Sequence, residues 1–228
     1  MKNLTQEELR NFYKHEYVSQ FPLVDNGKIE RLFKYISLDR HDKIVDFGCG
    51  NGLLLDFVFD KVYEYYGVDF SEEFIKAAQE RAKMKNITNA HFICDDINNF
   101  CKHHHNYFDK AFTLDFSEHI YDEDFLEIYS SIKESLKDNK QLYLHTPNSN
   151  YILELLRKRN IILKQLPPHI AVRNGRHYQK LLTEVGFKKI EILHIPHYIP
   201  VLSYLHFFSY FPIIGKYLRA RLFIICRK

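Results

Sequence analysis

The chain has no CxxC pair, no long uninterrupted apolar run, no dominant block of basic residues and no evident internal repeat. Cys49, Cys94, Cys101 and Cys226 lie far apart, and three of them fall in apolar or strand-like stretches where a thiol behaves as a small hydrophobe. A reduced, cytoplasmic chain is the simplest expectation. Nowhere do about 18 apolar residues run together, so no membrane-spanning helix is expected. The opening stretch MKNLTQEELRNFYKHEY lacks the apolar region of a secretion signal, so secretion is not expected either. Lys and Arg alternate with Asp and Glu along most of the sequence, and the net charge is only +3 with histidines neutral. The electrostatic footprint of a nucleic-acid binder is missing, and no nucleic acid is expected as a partner. His103 to His105 is read as a solvated loop, because consecutive side chains diverge on helix and strand alike and seldom reach one ion together.

What is present is an ordinary globular balance. Of the 228 residues 46% are hydrophobic, which suits one α/β core with appendages. Thr5 and Glu8 form a capping box ahead of Leu9, Phe12, Tyr13 and Tyr17, predicting a helix over 5–19. A second helix is expected over 27–37, with Ile29, Leu32, Phe33 and Ile36 on one face. Strand-like and helical stretches then alternate: KIVDF, NGLLLDFVFD, KVYEYYGVDF, SEEFIKAAQERAKMK capped by Ser71, AHFICD, a short helix near 97–104, FDKAFTLD, DEDFLEIYSSIKESLK and QLYLHTP. Such alternation predicts a mostly parallel sheet with helices on both faces, and a run such as AFTL suits a strand buried on both sides. A basic helix NYILELLRKRN, a QLPPH loop and a helix over 175–185 ending at Gly186 follow. Two last strands, FKKIEILHI and RARLFIICRK, flank an aromatic stretch over 196–218. The expected organisation is a single domain: a helical cap over 1–38, a core over 39–195, an aromatic insertion over 196–218 and a final strand over 219–228.

The stretch VDFGCGNG, directly after an apolar run, carries Gly48, Gly50 and Gly52. Glycines here open backbone conformations closed to other residues and let a ligand approach the main chain without meeting a Cβ. The spacing is not that of the nicotinamide-binding G-x-G-x-x-G, whose third glycine comes one place later for close helix packing. Asp69 stands about 20 residues on at the end of the second strand, where a carboxylate can accept hydrogen bonds from ribose hydroxyls. FICDDINNF ends the third strand with Asp95 and Asp96. Ligands of open α/β sheets bind at such carboxyl ends.

With Asp46 in front, the turn resembles the D/E-x-G-x-G-x-G motif of class I S-adenosylmethionine-dependent methyltransferases. FICDDINNF resembles that family's third motif, and LKDNKQLYLHTPN and LLTEVGFKKIEI resemble its later pattern, with Asn139 and Lys140 replacing a usual glycine pair. The resemblance covers about 40–195. It implies a Rossmann-like seven-stranded sheet whose last strand runs antiparallel, and S-adenosylmethionine as cofactor. The cofactor would be held by Asp46, Gly48, Gly50, Gly52, Asp69, Phe70 beside the adenine, Asp96 at the adenine amino group, the Ile97 backbone N–H, and Asp115. Asp95 is a rival for the role of Asp96, and either acid can instead be a helix cap. Tyr13 or Tyr17 would close over the bound cofactor.

Within the family, DFSEHI (Asp115, Glu118, His119) resembles the E-x-x-E-H stretch of the ubiquinone-biosynthesis O-methyltransferase type. The same step occurs in small-RNA 3′-terminal 2′-O-methyltransferases, where these residues and a distant histidine hold a divalent cation. His169, in LPPHIAVR, matches the family's G-H-x-x-x-F segment with Pro168 in place of glycine. The resemblance therefore implies either a cation on Asp115, Glu118, His119 and His169, or His119 or His169 as general base. The acceptor expected is a small hydrophobic molecule, a quinol, phenol or lipid-like hydroxyl, methylated on oxygen. Two further readings stay open: N- or O-methylation of a sugar or natural product, and a cofactor-binding or membrane-associated assembly protein without turnover.

The aromatic stretch sets Tyr198, Tyr204, Phe207, Phe208, Tyr210, Phe211 and Tyr217 among Pro196, Pro200 and Pro212, which forbid one continuous helix. Lys216, Arg219, Arg221, Arg227 and Lys228 follow. Broken helices over the acceptor opening, a contact with an anionic bilayer at the inner face of a membrane, and a homodimer contact all fit this composition.

Overall fold

The computed structural model describes residues 27–159, 161 and 169–228. The helix expected over 5–19, with Tyr13 and Tyr17, lies outside the described residues, as does all of the QLPPH loop except His169. Seven strands form one sheet: β1 Lys43–Phe47, β2 Glu64–Asp69, β3 Ala90–Cys94, β4 Phe108–Leu114, β5 Leu136–Pro147, β6 Lys188–Ile195 and β7 Arg221–Arg227, in the order β3-β2-β1-β4-β5-β7-β6. β1 pairs parallel with β2 and β4, and β2 pairs parallel with β3. β7 runs antiparallel to both β5 and β6. The mostly parallel sheet with an antiparallel last strand is the one expected. Among the described residues the helices are α1 Lys28–Leu32, α2 Leu55–Val58, α3 Glu72–Met84, α4 Ile97–Lys102, α5 Asp122–Ser135, α6 Ile152–Lys158, α7 Gly175–Val185 and α8 Pro200–Tyr204.

The chain divides into two compact units, Met1–Phe112 with Glu134–Lys137, and Thr113–Lys133 with Asp138–Lys228. In the first, Ile44, Val45 and Phe47 of β1 and Tyr65 and Val68 of β2 are buried, and α3 turns Phe74, Ile75, Ala78 and Ala82 inward. Ser71 caps α3 by accepting from the Phe74 amide at 3.3 Å. In the second, Phe125 and Tyr129 of α5 stack at 3.9 Å beside Tyr178 of α7, and the β7 run Leu222, Phe223, Ile224 is fully buried. Asn174 caps α7, and Gly186 ends it in the left-handed conformation, φ 91°.

Three elements differ from expectation. NGLLLDFVFD yields only the four-residue α2, because the bonds Gly52 N to Cys49 O, Leu55 N to Gly52 O and Phe57 N to Leu54 O span three residues and make tight turns. α1 likewise closes after Leu32 rather than running to 37. β5 begins at Leu136, well before QLYLHTP, and Asn139 adopts φ 62° within it. Asparagine tolerates that left-handed geometry, so it serves where the family pattern has glycine.

Candidate functional site

In the first unit, β1 runs out into the glycine turn. Gly48, Gly50 and Gly52 all have positive φ, at 69°, 52° and 75°. The Gly48 and Cys49 amides donate to Val68 O of β2 at 2.8 and 3.2 Å. The Gly50 amide donates to Asp69 Oδ2 at 3.0 Å, while Asp69 Oδ1 accepts from the Ser71 amide at 2.9 Å. One carboxylate thus holds the turn against the start of α3. A Cβ on Gly52 would lie 3.3 Å from Ala78 and 3.4 Å from Phe92, so this glycine serves packing of α3 and β3 as well as its left-handed turn. Arg81 of α3 donates from Nε to the Asn51 carbonyl at 2.8 Å and pairs with Asp56 at 2.7 Å, a support for the turn that apolar periodicity could not reveal.

Asp46 is buried under the turn and accepts from Tyr65 Oη at 3.0 Å. Burial pushes its carboxyl up to about 7 against the opposing effect of that bond. Burial also raises Asp69 to about 6, although the Ser71 and Gly50 amides favour its charged form. Phe70, beside Asp69, is exposed. At the end of β3, Asp96 is the N-cap of α4, its Oδ1 accepting from the Asn98 and Asn99 amides at 2.9 and 3.4 Å. The cap reading of Asp96 is therefore realised, and it leaves the Ile97 amide at the helix start uncapped by that side chain. Asp95 is engaged by Asn99 Nδ2 at 3.0 and 2.9 Å and by the Asp96 amide at 2.8 Å.

His104 stacks on Phe100 at 4.0 Å and His105 pairs with Glu134 at 3.1 Å. The triple histidine is dispersed, as diverging side chains require.

The second unit holds the other group. Asp115, just past β4, has φ 54°, donates its amide to His145 O at 2.9 Å, and lies through Oδ1 2.8 Å from His145 Nδ1 and 3.3 Å from Arg221 Nη1. A 3₁₀ turn over Ser117–His119 follows. Glu118 is buried; its Oε2 accepts from Thr146 Oγ1 at 3.1 Å, whose oxygen meets Tyr178 Oη at 3.2 Å, and Tyr178 in turn meets Ser117 Oγ at 2.8 Å. Glu118 Oε1 and His169 Nδ1 are buried and have no hydrogen-bond partner. The ligand atoms of Glu118, His119 and His169 lie within 4.8 Å of one another, and the two rings meet edge-on at 5.1 Å. Burial, with the charge of Asp115 adding to it, pushes Glu118 up to about 8. Burial, with His119 adding to it, lowers His169 to about 4, so this ring is neutral at neutral pH.

Of the expected set Asp115, Glu118, His119 and His169, the last three converge. Asp115 does not join them, because its backbone turn commits the carboxylate to His145 and Arg221. A carboxylate and two imidazoles suit a divalent cation, and two of the three residues present a buried atom without a partner, a costly state that an ion would relieve. These residues fit the group.

Arg173 positions this cluster and escaped sequence reasoning. Its Nε donates to Asp122 Oδ1 at 2.7 Å, Nη1 to Ser117 O at 2.7 Å and Ala171 O at 3.0 Å, and Nη2 to Ile120 O at 2.7 Å. The Ala171 amide returns a bond to Glu118 O at 3.0 Å. Arg173 stands where the G-H-x-x-x-F pattern has phenylalanine, and it still packs over the Phe125 ring at 5.2 Å. His145 and Thr146 were missed too. Their signal was two polar residues inside the apolar strand LYLHTP, which burial obliges to find partners.

A family model described as a methyltransferase domain matches residues 38–196. A SAM-dependent methyltransferase from Archaeoglobus fulgidus superposes with a TM-score of 0.65 at 18% identity, covering 88% of this chain and 92% of that one. Haemonchus contortus phosphoethanolamine N-methyltransferase 2, solved with phosphomonomethylethanolamine and S-adenosylhomocysteine, gives 0.65 at 17% identity over 89% of this chain and 52% of its own. In sequence, a protein of Bacillus cereus named as an uncharacterized RNA methyltransferase is 33% identical over 63 residues, 28% of this chain and 14% of that relative's length.

Proposed function

The chain belongs to the methyltransferase domain family, and on that premise we propose that it transfers the methyl group of S-adenosylmethionine to a hydroxyl oxygen of a small apolar acceptor, a quinol, phenol or lipid-like alcohol. The observation that carries the acceptor class is the convergence of Glu118, His119 and His169, whose ligand atoms lie within 4.8 Å of one another, with Glu118 Oε1 and His169 Nδ1 buried without a partner. The E-x-x-E-H likeness to the ubiquinone-biosynthesis O-methyltransferase type supports the same reading.

In this reading the glycine turn over Gly48, Gly50 and Gly52, with Asp46 behind it, lies against the methionine end of the cofactor, the missing Cβ atoms letting it approach the main chain. Asp69 accepts from the ribose, Phe70 flanks the adenine, and Asp96 and the Ile97 amide meet its edge. Asp115 and Arg221 form a fixed ion pair beside the Glu118 cluster. Glu118, His119 and His169 would hold a divalent cation, whose charge would make an acceptor hydroxyl more acidic. The hydroxyl proton leaves to a neighbouring base or to solvent. The oxygen lone pair attacks the methyl carbon in line, the carbon–sulfur bond breaks, and its electron pair returns to sulfur, giving S-adenosylhomocysteine. The sulfonium brings its own leaving group, so alignment is the larger part of the protein's task.

The test is acceptor-dependent formation of S-adenosylhomocysteine across catechols, quinols and phenols, before and after chelation, with metal content measured. We expect turnover on hydroxyl acceptors, lost on chelation and restored by Mg²⁺, Mn²⁺ or Zn²⁺, and Glu118→Gln slowing it about 100-fold. Full activity in demetallated protein would remove the cation and leave His119 or His169 as base. Turnover on amines alone, or cofactor binding with no turnover at all, would overturn the acceptor assignment.

A further inference from the structure

We propose that the face built by residues 199–217 seats on the surface of an anionic phospholipid bilayer. α8 and two 3₁₀ turns, Leu205–Tyr210 and Gly215–Tyr217, form this segment. Val201, Tyr204, Phe207, Tyr210 and Ile213 are 75, 79, 72, 79 and 80% exposed, with Ile214 half exposed between the turns. So dense a run of outward aromatic and branched side chains is unlike the singly scattered apolar residues of an ordinary surface.

The segment is built to present them. Ser209 is buried, and Gly215 sits so close that a Cβ on it would lie 2.3 Å from Ser209 O. The Gly215 amide donates to Phe211 O at 3.0 Å, and Arg219 Nε reaches Ser209 O at 3.4 Å. These small and polar groups take the inner positions and leave the large apolar ones outside.

Charge selects the occupant. From Ile192 to Lys228 the chain contains no Asp or Glu, while Lys216 is exposed beside the Tyr217 ring at 4.9 Å and Arg219 is half-buried behind it. Apolar aromatics rimmed by unopposed cations match an interface of acyl chains and anionic headgroups. Tyrosine favours that depth because its ring is apolar and its tip polar. A second copy of the same face would bring Lys216 toward Lys216 with no acid in the segment to meet either. Among the described residues no helix is long and apolar enough to cross a membrane, so the mode of contact is to lie on the surface. This inference stands on the face alone and does not depend on the acceptor proposed above.

The experiment is sedimentation of the full chain with vesicles of phosphatidylcholine alone or mixed with phosphatidylglycerol. Circular dichroism and sedimentation velocity accompany each protein. We expect binding to the mixed vesicles only, weakened by salt. Phe207→Ser with Tyr210→Ser should weaken it roughly tenfold or more, and Lys216→Gln about fivefold. Should the double variant misfold, Lys216→Gln and the salt titration of the unaltered chain decide alone. No sedimentation with mixed vesicles, equal binding to phosphatidylcholine alone, or a dimer that dissociates in the variants would each overturn the proposal.

Discussion

The glycine turn of the first unit and the Glu118 cluster of the second both rest on buried carboxyl groups, but they treat them differently. Asp69 uses both oxygens, one on the Gly50 amide and one on the Ser71 amide. Glu118 satisfies Oε2, through Thr146, and buries Oε1 without a partner, as His169 buries Nδ1. An acid bonded at both oxygens fixes its surroundings and keeps lone pairs to accept more, whereas one with a bare buried oxygen carries a desolvation cost that a bound group would remove. The first region is thus held together by its own hydrogen bonds, and the second carries the buried groups to which the proposal assigns a cation.

The largest expected effect breaks the second region alone. Arg173→Met keeps the packing over Phe125 while deleting bonds to Asp122 and to the carbonyls of Ser117, Ala171 and Ile120. Leaving those acceptors buried without a donor should cost about 3 kcal/mol, read as a lower midpoint in urea. Methyl transfer should fall because the turn carrying Glu118 and His119 loses its brace, while cofactor affinity, which the proposal assigns to the first region, should change by less than about threefold. Equal losses in both would show that the two regions are not separable in this way.

The two regions were also unequally legible. The turn was readable because its chemistry is local: glycines at fixed spacing, an acid at the next strand end and a serine cap are contiguous patterns whose conformations follow from the residues themselves. Glu118 and His119 could be singled out through likeness to a family motif, and His169 with them. What sequence could not supply was which side chains face inward after the strand. Asp115 turns away to His145 and Arg221 because of its left-handed backbone, and nothing in DFSEHI signals that. Arg173 lay hidden for a related reason, since its partners are mostly carbonyls, which every residue has.

A smaller effect probes the first region. Asp69→Ala removes the anchor of the Gly50 amide and the acceptor proposed for the ribose, and should weaken S-adenosylmethionine binding about thirtyfold, roughly 2 kcal/mol, by titration calorimetry. The pH dependence follows from the raised carboxyl. Above about 6 Asp69 is ionised and accepts on both oxygens; below it the acid binds a proton and loses acceptor capacity. Affinity should therefore fall as pH drops through 6, by at most about tenfold per unit, and Asp69→Asn should flatten that slope. A slope unchanged by the substitution would assign the titration to another group.

The smallest effect sharpens the contrast between a satisfied acid and a merely buried one. Asp46 accepts a single hydrogen bond, from Tyr65, and its carboxyl is raised to about 7. An unfolded aspartate titrates near 4, so the folded chain binds the proton more tightly than the unfolded chain between these values. The resulting stabilisation is complete below about pH 4 and is lost as pH rises to about 7, which makes ionised Asp46 a burden at neutral pH. Asp46→Asn keeps an oxygen for Tyr65 and carries no charge to desolvate. In cofactor-free protein the variant should be more stable than the parent at pH 8 by about 1 kcal/mol and no more stable at pH 4, measured by urea unfolding at both values. If the variant were instead less stable at pH 8, ionised Asp46 would have to be held by a partner stronger than Tyr65, and the turn would rest on a firmly bonded acid at both of its ends.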